Sequence, residues 1–322
     1  MNKPKISIVV CTYNRAELLG ACLQSLVEQS LDPSLFEVVV VDNHSLDNTL
    51  EIAHHYAKQY SFFRIVTELN QGHSHARNRG WREARGEYVA YIDDDAKATP
   101  DWCSRILSVF TTVMPTPAAV GGQIHPMYET PPPTWFIDDF EIRTWGERVG
   151  FLELPRARYG FSGSNMAFPR RVLERFDGFS SQYGIVDGKL RMGEDTEFFY
   201  RIYDEEPHFW YDPAILVYHW TPRHNCTLSY RFIRSYRIGE AAIHMQRRRL
   251  LSTKYARELI CFFKLILSVP YRLLVAEGLV RTEAARLFQE LGFKSGFLFG
   301  RCLGNNGNQA SSHEMPWHGG KQ

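Results

Sequence analysis

At 322 residues the chain can bury a sizeable core, in one large domain or in one domain with an appendage. Aromatic residues at 14% and charged residues at 23% exclude a disordered chain. The net charge of +1 hides a division: of 37 Lys/Arg and 36 Asp/Glu, Arg223 to Arg301 holds 15 and 5, leaving 22 and 31 elsewhere.

The six cysteines (11, 22, 103, 226, 261, 302) show neither Cys-x-x-Cys nor paired spacing, which speaks for reduced thiols in a cytosolic compartment and against zinc. Met1 to Lys5 and the short apolar run after it lack the pattern of a secretory signal. No stretch has the ~20 uninterrupted apolar residues of a spanning helix.

Ile6 to Cys11 is β-branched and predicts a strand, followed by Thr12-Tyr13-Asn14-Arg15. Asn14 with Glu17 resembles a capping box that opens a helix, whose apolar face is Leu18, Leu19, Cys22, Leu23 and Leu26. Phe36 to Val41 predicts a second strand ending on Asp42, and Ser45 to Asn48 starts the next helix. A weaker strand, Phe63 to Thr67, precedes a helix over His73 to Ala84 with Ala76, Gly80 and Ala84 on one side. Tyr88 to Ile92 is a continuous apolar run, the pattern of a strand buried on both faces, and it meets Asp93, Asp94 and Asp95. Four strand–helix alternations predict an α/β fold with a mainly parallel sheet.

Beyond a helix from Pro100 and a strand at Ala118 to Gly122, residues 125–159 read as one long irregular loop with exposed Trp135 and Trp145. Gly163-Ser164-Asn165 offers a backbone that a ligand can approach closely. Gly193-Glu194-Asp195 opens a helix carrying Phe198, Phe199 and Ile202, and a late strand from Ile215 ends on His219.

Side chains at the C-terminal ends of strands in such a sheet converge on one crevice. Thr12 to Arg15, Asp42, Asp93 to Asp95 and His219 all fall there. Three adjacent carboxylates repel unless a cation shares them, and Asp93 and Asp95 can turn towards one hard divalent ion on a diphosphate. Asp42 could accept from a base N–H, and Arg77 supplies positive charge. Taken singly, each has a plainer reading: a helix cap for Asp42, a surface charge for Arg77, a capped strand end for His219.

The motifs Val9-Val10-Cys11-Thr12-Tyr13-Asn14-Arg15, Val40-Val41-Asp42-Asn43, Ala76-Arg77-Asn78-Arg79-Gly80, Ile92-Asp93-Asp94-Asp95, Gly193-Glu194-Asp195-Thr196-Glu197-Phe198 and Tyr218-His219 stand in order over residues 5–220. Together they resemble the inverting family 2 glycosyltransferases of GT-A fold. The resemblance implies a nucleoside-diphosphate sugar, a uridine one first, and Mg²⁺ or Mn²⁺. It implies that Asp42 reads the base, that Thr12, Tyr13, Asn14, Arg15, Arg77, Asp93 and Asp94 line the donor site, and that Asp93, Asp95 and His219 hold the metal. Asp195 would be the catalytic base, with Trp135, Gly163, Ser164, Asn165 and Glu194 on the acceptor side. The Gln-x-x-Arg-Trp motif of processive synthases is missing its Trp at Gln246-Arg247-Arg248-Arg249-Leu250, so transfer of a single sugar is expected. Rival expectations are a sugar-1-phosphate nucleotidyltransferase, whose Gly-rich loop after the first strand is not found here, and a silent nucleotide-sugar-binding scaffold.

The expected domains are 1–222, the catalytic unit; 223–301, a basic amphipathic helical extension; and 302–322, a disordered tail. The extension suits either an interfacial helix on anionic lipid or a hairpin packed on the catalytic unit. No nucleic-acid motif accompanies its charge. The acceptor is expected to be a glycan or lipid-linked molecule in cell-surface polysaccharide synthesis, with the protein cytoplasmic or peripheral on the inner face of the plasma membrane.

Overall fold

The computed structural model describes residues 3–153, 160–186, 189–191, 193–245, 253–274 and 280–304. The chain divides into two compact units, Met1–Tyr230 and Arg231–Gln322.

In the first unit, β1 (Ile6–Thr12), β2 (Phe36–Asp42), β3 (Phe63–Thr67) and β4 (Tyr88–Asp93) lie parallel in the order β3-β2-β1-β4. Successive residues point to opposite faces. Ile6, Ile8, Val10, Val38 and Val40 therefore enter one core and Val9, Val39 and Val41 the other. That is why these strands read as unbroken apolar runs. The first core is completed by Leu19, Cys22, Leu23 and Leu26 of α1 (Ala16–Val27), Ala53 of α2 (Thr49–Gln59), and Trp102 and Ile106 of α4 (Trp102–Thr112). The second takes Ala76 and Trp81 of α3 (His73–Glu83), Val172 and Leu173 of α5 (Arg170–Arg175), and Phe198 and Phe199 of α6 (Glu194–Tyr203). Each buried Val, Leu, Ile or Phe side chain among them contributes on the order of 1.5–3 kcal/mol.

The sheet continues beyond β4 with β9 (Met166–Pro169), antiparallel to both its neighbours. Then come β6 (Ala119–Gly121), β12 (Phe209–Tyr211) and the short edge strand β8 (Gly150–Phe151). A separate sheet joins β5 (Ala96–Ala98), β13 (Val217–Thr221) and β7 (Ile124–Tyr128) in the order β5-β13-β7. Its register places His219 opposite Ala96, directly after the three aspartates. A short hairpin, β10 (Gly184–Val186) with β11 (Lys189–Arg191), precedes α6.

Two local expectations are corrected. Asn14 does not cap α1: it is left-handed (φ 50°), and its Oδ1 accepts from the Leu46 N–H. The free N–H groups at the start of α1 are met from the β2–α2 turn, where Thr49 Oγ1 accepts from Arg15 and Asp47 Oδ2 from Ala16. Nor is 125–159 one irregular loop, since it contains β7, a short 3-10 turn at Asp138–Phe140 and β8. Pro126 is tolerated in β7 because that strand lies at a sheet edge. Trp135 and Trp145 are half-buried rather than exposed, and Trp145 packs on the second core.

The second unit is helical. α7 (Leu228–Met245) leads into it and α8 (Thr253–Leu274) and α9 (Val280–Gly304) follow. Ile243, Phe297 and Leu298 form its small core, with Ala242, Leu259 and Phe262 against them. Arg272 pairs with Glu283 and Glu290, and Lys294 with Glu258. α9 runs past the expected start of the tail at 302, and residues 305–322 lie outside the described residues, as do Gln246 to Leu250.

Candidate active site

Two sheets meet at the end of β4. β4 delivers Asp93, β5 begins at Ala96, and the turn between them carries Asp94 and Asp95. The turn is held by its own backbone: the Asp93 carbonyl accepts from the Cys22 thiol and the Asp95 carbonyl from the Trp220 N–H.

Asp93, Asp95 and His219 bring ligand atoms within 4.8 Å of one another. His219 Nε2 lies 3.2 Å from Asp95 Oδ1 and 3.7 Å from Asp93 Oδ2. Its other nitrogen, Nδ1, is 3.0 Å from the Trp220 carbonyl, which orients Nε2 towards the carboxylates. Burial works against the imidazolium, yet Asp95 and Asp93 push its pKa up to about 9. Asp95 Oδ1, although close to His219 Nε2, is buried and makes no hydrogen bond, and Arg15 Nη2 stands 3.7 Å from Oδ2. Two carboxylates and an imidazole aimed at one point, with an unsatisfied oxygen among them, fit a divalent cation. Asp94 is turned elsewhere: it is buried near Thr12, and burial and the Asp95 charge push it up to about 7.

A second cluster adjoins the first. Arg77, 2% exposed, reaches Glu194 Oε1 at 3.0 Å through Nη1 and Asp93 Oδ1 at 3.5 Å through Nη2. His73, one helical turn before Arg77, lies 3.1 Å from Glu194 and 3.8 Å from Asp93. Burial opposes the charge on Glu194, but the His73 hydrogen bond and Arg77 bring its pKa down to about 2. His73 belongs to no motif in the sequence, and its i, i+4 spacing to Arg77 at the start of α3 is the one signal there that points to it.

Asp195 stands beside this cluster. Its Oδ2 accepts from the Gly163 N–H at 3.2 Å and its Oδ1 from the Thr196 N–H at 2.7 Å. Burial raises its pKa and the Glu194 charge adds to the rise, against Arg77 and the two N–H donors. Gly193 before it is left-handed (φ 107°), which permits the sharp entry into α6.

The remaining expected residues are divided. Asp42 is buried at the end of β2 and accepts from the Ser45 N–H, and Tyr13 is exposed beyond β1. Gly163 does allow a close approach, but by Arg77: a Cβ there would meet Nη2 at 1.7 Å. Asn165 is 1% exposed and ties the fold together, its Nδ2 donating to the Gln123 and Ile215 carbonyls and its Oδ1 accepting from Trp102. Ser164 is buried, and Trp135 packs with Phe136 and Phe140. A cavity of about 540 Å³ opens at the other end of the strands, beside Lys5, Tyr88 and Arg170, away from these carboxylates.

Residues 7–176 match Glycosyl transferase family 2. The chain belongs to that family. Among family members and other glycosyltransferases, it is 42% identical over 95 residues to a cholesterol galactosyltransferase of Borreliella burgdorferi, covering 30% of this chain and 26% of that protein. It is 28% identical over 203 residues to a glucosyl-dolichyl phosphate glucuronosyltransferase of Haloferax volcanii, covering 62% and 64%. The chain thus spans less than two thirds of each relative's length. Among solved structures, mannosyltransferase PcManGT from Pyrobaculum calidifontis, in complex with GDP-Man and Mn²⁺, superposes with a TM-score of 0.63 at 20% identity, over 96% of this chain and 89% of that one. S. aureus TarS 1-349 in complex with UDP-GlcNAc gives 0.52 at 16% identity, over 92% of both chains. These likenesses show the GT-A fold. No helix among the described residues is long and apolar enough to cross a membrane.

Proposed function

We propose that this glycosyltransferase moves one sugar from a nucleoside-diphosphate sugar to a lipid-linked or glycan acceptor, with inversion at the anomeric carbon. The observation that carries the reading is the adjacency of two units: the Asp93–Asp95–His219 cluster and the separately held carboxylate of Asp195. Asp93, Asp95 and His219 would hold a divalent ion, which would neutralise charge on the leaving diphosphate. The imidazole favours Mn²⁺ over Mg²⁺, which prefers an all-oxygen shell.

Asp195 takes the proton of the acceptor hydroxyl as that oxygen bonds to the anomeric carbon. The bond from that carbon to the donor phosphate breaks on the opposite side, and its electron pair leaves with the nucleoside diphosphate. No general acid is needed for so weakly basic a leaving group. Partial burial suits Asp195 to this work, because burial and the Glu194 charge raise its pKa and a raised pKa makes a stronger base. In this reading Asp42, at the end of β2, accepts from the base N–H, Tyr13 and Arg15 face the diphosphate, and Asp94 supports the donor loop from its buried place near Thr12. Arg77, with both ends of its guanidinium engaged, holds Asp93 and Glu194 in place instead of reaching the donor itself. Asn165 and Ser164 shape the acceptor side from within the fold. A lipid acceptor is supported by the two relatives named for cholesterol and dolichyl phosphate.

The test is a panel of UDP-, GDP- and TDP-sugars incubated with the full chain and Mn²⁺, reading released nucleoside diphosphate and the product anomer by NMR. Metal-dependent turnover of one donor with inversion is expected. Retention of configuration, or turnover indifferent to EDTA, would overturn the mechanism.

A further inference from the structure

We infer that the outer face of α8 is a docking surface for an anionic lipid bilayer. α8 is apolar on two sides. Leu259, Phe262 and Leu265 turn inward, the first two onto the small core of the helical unit. On the other side Ile260 is 56% exposed, Phe263 60%, Leu267 78% and Tyr271 67%. At 3.6 residues per turn these four fall within one arc of about 80°. A soluble helix shows one apolar stripe, against its core, so the second one calls for a partner.

Charge identifies that partner. Arg257 and Lys264 are exposed along one edge of the same arc, and among the described residues neither makes an ion pair. The other charged groups of α8 whose side chains are described are engaged within the unit: Glu258 with Lys294, Arg272 with Glu283 and Glu290. The face therefore presents apolar side chains bordered by cations only, the composition of an interfacial helix on acidic headgroups. A second copy of the chain would bring the same cations against one another. No described helix can cross a bilayer, so the attachment lies in the plane of the surface and reverses. Arg247, Arg248 and Arg249 fall outside the described residues.

The experiment is flotation of the full chain with vesicles of phosphatidylcholine, with and without phosphatidylglycerol, beside light scattering for oligomeric state. Wild type should float with the anionic vesicles and be released in part by salt. Arg257→Gln with Lys264→Gln should weaken binding about 30-fold, roughly fivefold per cation. Phe263→Glu with Leu267→Glu should weaken it by at least ~10-fold even at low salt. All four positions are exposed, so both variants should keep the wild-type melting temperature, which checks folding. Failure of wild type to float, flotation unchanged in the Phe263/Leu267 variant, or a dimer that this variant dissolves would each overturn the assignment. The assay needs no donor sugar, so its failure leaves the proposed transfer reaction untouched.

Discussion

Arg77 Nη1 lies 3.0 Å from Glu194 Oε1, and the same guanidinium reaches Asp93 at 3.5 Å through its other nitrogen. One buried cation therefore ties the end of β4 to the start of α6. The first carries a proposed metal ligand; the second carries the proposed base one residue further on. Misplacing Arg77 should disturb both, although it touches neither donor nor acceptor in this account.

Glu194→Gln tests that coupling. It removes one partner of a buried charge pair, which typically costs about 3 kcal/mol. The melting temperature should fall and donor affinity should weaken, because Asp93 loses part of its support. Equilibrium urea unfolding and calorimetric titration with the donor measure the two effects. Unchanged stability would mean that the pair is not closed in solution.

Gly163→Ala acts on the same guanidinium by volume alone. Its Cβ would have to share space with Arg77 Nη2, at 1.7 Å, and cannot without displacing it. A drop in turnover of ~10²-fold is expected, the scale set by an ångström-sized misplacement. Wild-type turnover in Gly163→Ala would show that Arg77 has somewhere else to go.

The pH profile should report Asp195. Its pKa is raised, first by burial and then by the negative charge of Glu194, and the proposed mechanism requires the ionised form. Turnover is therefore full above that pKa and lost as pH falls through it, at a pH above the ~3.9 of a free aspartate. Removing the Glu194 charge should move this acid limb to lower pH. A limb that stays in place in Glu194→Gln would assign it to another group.

Asp93→Ala and Asp95→Ala each remove one of the three converging ligand groups. Mn²⁺-dependent donor affinity should drop by at least ~10-fold in each, within the range seen when metal-site partners are lost. Titration calorimetry with and without EDTA measures it, and EDTA-insensitive wild-type affinity in both variants would reject the metal site.

Much of this was legible in the sequence, for a physical reason. Strands buried on both faces must be apolar throughout, so Val38 to Val41 and Tyr88 to Ile92 announce themselves, and the acidic residues that end them mark the crevice. What stayed hidden depended on contacts between distant segments. The pairing of His219 with Ala96 follows from a small second sheet whose strand β7 contains a proline. Asn14 looked like a cap because its local spacing fits one, but Asp47 and Thr49 lie closer to the orphan N–H groups once β1 and β2 pair. Gly163 read as room for a ligand, and only its distance to Arg77 shows which group uses that room.

The most direct measurement sets two assays side by side on Asp195→Asn. The amide keeps the shape of the carboxylate but cannot take the acceptor's proton. Mn²⁺-dependent donor affinity should stay at the wild-type value while kcat for transfer falls by ~10²-fold or more. A variant that retains wild-type kcat, or that loses donor affinity as Asp93→Ala does, would contradict the assignment of Asp195 as the base.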